Sequence, residues 1–326
     1  MKNWLLRAIA CLTVTVLPAT AFAQAWPARP VKLIVAFAAG GPVDLSARIV
    51  AEALTRKLGQ TFVVENKTGA NGAIAAEAVK GSPADGYTVL ISNASMITIT
   101  PTLVKTLRYN PDADFAAVTR IIQSPLILVV STENPKTAAF RDVAAVVAAA
   151  RQAPGRLSYG SAGLNGNVQQ LAFELMADQA GVQFLPVSYK GSSEAQLALL
   201  SQQVEVLFDT PTAIPLIRQG KLRALAAATR ERLPALPDVP TMQEAGFKNF
   251  EIGFWSGVFL PKATPQAIVD QLAAAIQEVC QDPAIRARLE PLGAIVPSTP
   301  EKFREHIQQE TATFAEVIRR ARIALQ

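Results

Sequence analysis

One histidine, two cysteines and 6% aromatic residues are all that this 326-residue chain offers to several kinds of chemistry. The histidine, His306, stands in a C-terminal helical pattern among Glu305, Gln308 and Gln309, where a solvated ring is the ordinary expectation. Without a second histidine or a second mature cysteine, a Ser-His-Asp triad, a Cys-His pair or a multi-histidine metal site is hard to build. No G-x-S-x-G elbow is present. No G-x-x-x-x-G-K-[ST] phosphate loop occurs, and the one glycine pair that follows a strand lacks the third glycine of a dinucleotide fingerprint. Hydrolysis by paired carboxylates needs two acids on one cleft; Asp44 and Asp209 can be nominated, but nothing in the pattern makes them converge. The expectation is a protein that is not an enzyme and needs neither cofactor nor metal.

Clustered charge is missing too. Charged residues make up 17% of the chain at a formal +5, and no Lys/Arg stripe with interleaved aromatics stands out, which argues against nucleic acid. Met1 to Ala23 reads as a secretory signal: Lys2 and Arg7 at a basic start, a short apolar stretch broken by Pro18, and Ala21-Phe22-Ala23 at the cleavage positions. The alternative, a membrane anchor, suits a stretch this short poorly. Cleavage after Ala23, or after Ala25, removes two positive charges and leaves +3. It also removes Cys11, so Cys280 stands alone in a helical pattern as a small core residue, and no intramolecular disulfide is possible. No later apolar run is long enough to cross a membrane. The mature chain is expected to be a soluble monomer in the periplasm.

What is present is apolar material in alternation. Half the residues are hydrophobic, ample for a large core at this length. Val31 to Phe37 reads as a buried strand. Val43, Ala47, Val50, Leu54 and Leu58 then step along one helix face that ends at Gly59. Strand Phe62–Glu65, helix Ala73–Lys80 and strand Tyr87–Ser92 follow, and the rhythm predicts a mostly parallel sheet with helices on both faces. After strand Pro125–Ser131 it restarts, through helices 141–151, 166–180, 193–200 and 212–219 and strands 157–159, 184–187, 204–208 and 222–227. Strand 254–260 and helices 265–281, 283–292 and 300–325 complete the chain. Two such rhythms predict two α/β lobes with a cleft between them.

Two loops carry the candidate chemistry. In "VAFAAGGPVD", Gly40-Gly41 allows a tight turn, Pro42 suits the first helical position and Asp44 falls in the first helical turn. The free N–H groups of a helix start can seat an anion without an arginine. Equally, the glycines can merely make a turn and Asp44 merely cap the helix. "YGSAGLNGNVQQL", Tyr159 to Leu171, repeats the strand–glycine loop–helix arrangement in the second half. Two helix starts facing one another across a cleft would hold a ligand from both ends, as a closing binding protein does.

These loops, with "LGQTFVVENKTGANGAIAAEAV", "SPADGYTVLIS", "VSYKGSSEAQLALLSQQVEVLFD" and "GKLRALAAATRERLPALPDVPTMQEAG", resemble in order and spacing the Bug family of periplasmic solute-binding proteins, the TctC-like receptors of tripartite tricarboxylate transporters. The resemblance implies a two-lobe periplasmic binding protein fold of type II character, with a central ligand cleft and crossing strands. Lobe 1 would comprise residues 24–124 plus 254–326 and lobe 2 residues 125–253. It implies a small carboxylate ligand (a dicarboxylate, an amino acid or an aromatic acid) held largely by backbone groups and delivered to inner-membrane transporter subunits. The ligand-binding residues carried over are Phe37, Ala38, Ala39, Gly40, Gly41 and Asp44 in the first loop, Asn93, Ala94 and Ser95 after the third strand, and Ser161, Ala162, Gly163, Asn165 and Asn167 in the second-lobe loop. Tyr189, Lys190 and Asp209 lie on segments that the family places near the cleft. Core packing remains an equal reading for Tyr189 and a solvated turn for Lys190, whereas for Asp209 selection of a ligand amino group is preferred to capping of the next helix. Where the family commonly reads "PFPPGGGTD", this chain has Ala36 to Asp44 with Pro42 and Val43, and it has Gln170 where relatives often place histidine. A sensor subunit serving a membrane signalling partner is the alternative function, and an exported α/β hydrolase the third.

Overall fold

The computed structural model describes residues 26–104, 106–163 and 166–320; the signal segment and Asn165 lie outside the described residues. Two mixed sheets with flanking helices form two lobes. The first sheet contains β1 (Val31–Val35), β2 (Phe62–Asn66), β3 (Thr88–Asn93), β4 (Phe115–Pro125), β10 (Gly253–Pro261) and β11 (Ala294–Ile295), in the order β11-β4-β10-β3-β1-β2. The second contains β5 (Ile127–Ser131), β6 (Ser158–Ser161), β7 (Leu185–Ser188), β8 (Val206–Asp209) and β9 (Leu222–Ala227), in the order β7-β6-β8-β5-β9.

The sheets are less parallel than the rhythm predicts. β2, β1 and β3 are parallel, as are β7, β6 and β8, but β10 runs antiparallel to both β3 and β4, and β5 antiparallel to β8 and β9. The cause is the crossing of the chain between sheets. β4 passes through Leu126 straight into β5, and β10 brings the chain back after β9, so it enters the first sheet from the other lobe. The eleven-residue strand β4 is absent from the sequence reading, because Thr119, Arg120 and Gln123 interrupt its apolar run.

Local patterns account for most helices. α1 (Pro42–Leu58) begins with proline in its first turn and ends where Gly59 adopts φ 69° and donates its N–H to Thr55 O. Val43, Ala47, Val50 and Leu54 are buried along its inner face, as the spacing predicts. α6 (Val168–Ala180) is capped by the Asn167 side chain and closed by left-handed Gly181.

Strand alternation divides the second lobe's packing. Leu128, Val130, Val206 and Phe208 join the large core that runs through both lobes, while Ile127, Val129 and Leu207 face a smaller cluster with Ala195, Ala198 and Leu199 of α7 (Ser192–Leu200). The scarce aromatics are concentrated: Tyr159 stacks on Phe173 at 4.1 Å, and Phe173 meets Phe208 edge-on at 4.7 Å. Cys280 is buried, and burial pushes its thiol up to about 11, in keeping with an inert core residue. His306 is not the solvated ring expected. It lies edge-on to Trp255, its Nε2 buried and 3.8 Å from Glu310 Oε1.

Candidate functional site

The loop after β1 is built around a buried carboxylate. Asp44, 1% exposed, accepts hydrogen bonds from Gly40 N–H (3.0 Å), Arg48 Nε (3.0 Å) and Asn66 Nδ2 (2.8 Å). Asn66 also donates to Phe37 O and accepts from Arg48 Nη2, so one side chain ties both ends of the loop to the end of β2. Burial alone would push the Asp44 carboxyl up; the bonds from Arg48, Gly40 and Asn66 outweigh it and hold the carboxyl below its usual range. Asp44 is therefore ionised and fully engaged. No side chain caps α1, whose cap residue is Gly41, so its first turn offers the backbone N–H groups of Val43 and Asp44, Pro42 having none.

The opposing loop is organised the same way. Asn167 Nδ2 donates to Ala162 O at 3.0 Å and its Oδ1 accepts from Gln169 N at 2.8 Å, while Ser161 Oγ donates to Gly163 O. Gln169 bonds Ala162 N–H through Oε1 and Phe208 O through Nε2, pinning the loop to β8. These polar side chains build the loop rather than reach out of it. At the end of β3, Asn93 is buried and makes no such tie, and Ala94 is fully buried behind it.

The lobes meet directly. Val168 N–H donates to Ser95 Oγ at 3.1 Å, Thr100 Oγ1 to Gly166 O at 3.3 Å, and Ser193 Oγ to Ala39 O at 2.9 Å. Asn71 Nδ2 donates to the same Thr100 hydroxyl, and its Oδ1, unpaired and buried, lies over Gly163. Asn71 sits in a turn, Gly69 to Gly72, whose four residues all have positive φ, a strained arrangement of the kind found at functional sites.

Between the loops lies a small cavity of about 20 Å³, room for about one water. Phe37, Ala38, Gly41, Asn93, Ala162 and Asn167 line it with Leu126 and Phe254 of the crossings. Phe37 and Ala162 also border a wider groove of about 830 Å³, into which Asn71, Arg108, Tyr189 and Lys190 face with Glu77 and Glu194. Thus Phe37, Ala38, Gly41, Asn93, Ala162 and Asn167 line the cavity, Gly163, Tyr189 and Lys190 the groove, and Phe37 and Ala162 border both. Ala39 and Ser95 meet the other lobe instead. Lys190 is exposed, its N–H bonded to Glu194; Tyr189 is half-buried, and burial raises its hydroxyl. Asp209 borders neither space: it is fully buried, with Gln196 Nε2 at 2.9 Å and Thr210 N–H at 2.7 Å. Burial pushes its carboxyl up to about 7 despite those bonds. Among the described residues, no group of three or more His, Cys, Asp or Glu stands close enough to hold a metal.

A family model described as the tripartite tricarboxylate transporter family receptor matches residues 46–323. The chain belongs to that receptor family. Three solved structures align with it along nearly their whole length. The periplasmic binding protein BugD is 34% identical at a TM-score of 0.85, covering 92% of this chain and 100% of its own. A protein of R. palustris solved with adipate is 34% identical at a TM-score of 0.86, covering 92% and 99%. MatC from Rhodopseudomonas palustris, solved with bound malate, is 32% identical at a TM-score of 0.83, covering 90% and 99%. The tripartite tricarboxylate transporter receptors are solute-binding proteins and not enzymes.

Within this receptor, sequence reasoning missed Asn66, Arg48, Asn71, Thr100, Gln169 and Ser193. Asn71 carried a local signal, the turn dipeptide Asn71-Gly72, and Arg48 another, its place four residues after Asp44 on one helix. The others act through partners as far as 154 positions away.

Proposed function

We propose that this protein is a periplasmic receptor that closes around a small dicarboxylate and delivers it to a membrane transporter of the tripartite tricarboxylate type. The observation that carries this reading is the pair of backbone loops, one per sheet, opposed across a single small cavity. A carboxylate suits that cavity. Helix-start N–H groups favour negative charge, and Asp44, which would repel it, is already neutralised by its own donors. One carboxylate oxygen of the ligand takes the place of a water in the cavity, beside Phe37, Ala38, Gly41, Ala162 and Asn93. The rest of the ligand extends past Phe37 into the groove, toward Tyr189 and Lys190. Asp44, Ser161 and Asp209 serve one step back, as frame, while Asn167 both braces its loop and lines the cavity. The bound adipate and malate of its relatives support the ligand class. The moving bodies are residues 24–124 with 254–326 and residues 125–253, hinged at the crossings.

Calorimetry with malate, adipate and glutamate tests this. A ligand at a hundred times its dissociation constant stabilises the fold by about 2.7 kcal/mol, so thermal shift reads the same event. Gly41 has φ −79° and room for a Cβ, so Gly41→Val leaves the backbone unstrained while filling the cavity. Binding is expected to vanish with an unchanged melting temperature. A Gly41→Val chain that binds as well as wild type overturns the reading.

A further inference from the structure

We propose that Glu310, on the C-terminal helix and outside the cleft, is a positioning residue for the ligand site, holding the turn behind Ser95 and the crossing strand behind Phe254 in the geometry at which the lobes meet. The proposal rests on the receptor reading above. α11 (Pro300–Arg320) packs against β4 and against the π-helical turn Ser95–Ile99, which directly follows Asn93 and Ala94. From that helix Glu310 Oε2 accepts a hydrogen bond from Trp255 Nε1 at 2.8 Å and lies 3.0 Å from Thr98 Oγ1, a hydroxyl whose one proton is shared between Glu310 and Ala94 O at 2.8 Å. Each donor stands beside a cleft residue. Trp255 follows Phe254, which lines the small cavity, and precedes Ser256, which pairs in register with Asn93 and meets Ser46 of α1 at 2.9 Å. Thr98 shares its turn with Ser95, whose hydroxyl receives Val168 N–H from the other lobe. Single turns with this wide backbone spacing recur at functional sites. Here one carboxylate fixes the turn to the crossing strand.

The charged and titratable groups that face Glu310 among the described residues are Arg120 from β4 and His306 from its own helix. Arg120 Nε is buried without a hydrogen-bond partner. Burial, then the charge of Arg120, pushes the His306 ring down to about 4, so it is neutral. Burial pushes the Glu310 carboxyl up to about 7, against the bonds from Trp255 and Thr98 and the charge of Arg120. A proton on Glu310 turns a charged acceptor into a neutral one, and charged acceptors bond about twice as strongly. Ligand affinity therefore falls as pH falls through that range.

The test titrates malate into wild type and Glu310→Gln from about pH 6 to about pH 8.5, where malate keeps both charges. The amide oxygen of Gln preserves the shape and an acceptor but cannot titrate. Wild type is expected to bind roughly fivefold more weakly at the acid end, on the order of a charged against a neutral hydrogen bond, with the fall absent in Glu310→Gln. Asp209 titrates in both chains, so the difference between them reads Glu310 alone. A Glu310→Gln chain with the wild-type profile overturns the proposal. Thr98→Val replaces it if Glu310→Gln does not fold: a flattened pH profile of malate binding supports the proposal, and an unchanged profile overturns it. If wild type binds no dicarboxylate, the receptor reading fails. Amide exchange at Val168 without ligand then decides for Glu310, with faster exchange in Glu310→Gln than in wild type supporting its role and equal exchange ending it.

Discussion

Val168 N–H donates to Ser95 Oγ at 3.1 Å, joining the first turn of a helix on the second lobe to a turn on the first. An amide at a helix start has no partner within its own helix, so in the closed protein this one is satisfied across the cleft. Ser95→Ala leaves it buried and unpaired when the lobes meet, at a cost of about 1–3 kcal/mol to the closed state alone. Dicarboxylate affinity is expected to fall by roughly tenfold or more in calorimetry, with little change in the melting temperature of the unliganded chain.

Gly191 offers a cleaner steric block. Its φ of −179° is extended backbone that any residue adopts, yet a Cβ there would stand 2.8 Å from Ala38 Cβ and 3.1 Å from Ala38 N on the other lobe. Gly191→Ala is expected to leave stability intact, hold the lobes apart and weaken ligand binding. Small-angle scattering that shows the same ligand-induced compaction as wild type counts against it.

Asp44 tests frame against contact. Asp44→Ala strands the Gly40 amide, Asn66 Nδ2 and the Arg48 guanidinium, and is expected to cost about 2 kcal/mol in urea unfolding as well as binding. The carboxyl is held below its ordinary 3.8, so its contribution is present above that value and is lost as pH falls through the lower, folded-state one. An acid-side loss of stability missing from Asp44→Asn confirms that share.

Asp209 has the opposite sign. Its carboxyl is raised from 3.8 to about 7, so between those values the folded chain holds a proton that the unfolded chain has released. Stability attributable to Asp209 is full below about pH 4 and declines as pH rises through 7. Asp209→Asn removes that decline, read as the urea midpoint against pH. If the variant declines as steeply as wild type, the carboxyl is not held protonated.

The helices and the glycine loops were legible because their causes are local. The step of Val43, Ala47, Val50 and Leu54 needs only helical periodicity, and Gly59 only its tolerance of a left-handed cap. β4 was not legible. Its polar residues make sense only in place: Thr119 Oγ1 donates to Ser298 O, and Arg120 lies across from Glu310 on a helix 190 positions later. Asp44 was placed correctly in the first turn of a helix, but a sequence pattern cannot show that Asn66 and Arg48 consume both carboxylate oxygens.

The sequence by itself determined two α/β rhythms, two glycine loops at strand–helix junctions and the lack of any nucleophile–histidine pairing, since each depends on residue type and short spacing. Tertiary structure alone decided which side chains are free. Whether a buried polar atom faces a ligand or a neighbour depends on groups brought close by the crossing of β4 and β10, and chain spacing does not encode that distance. So Asp44 and Asp209, conspicuous in the sequence, are tied up inside the fold, while Phe37, Gly41 and Ala162, which carry no charge, border the cavity with Asn167.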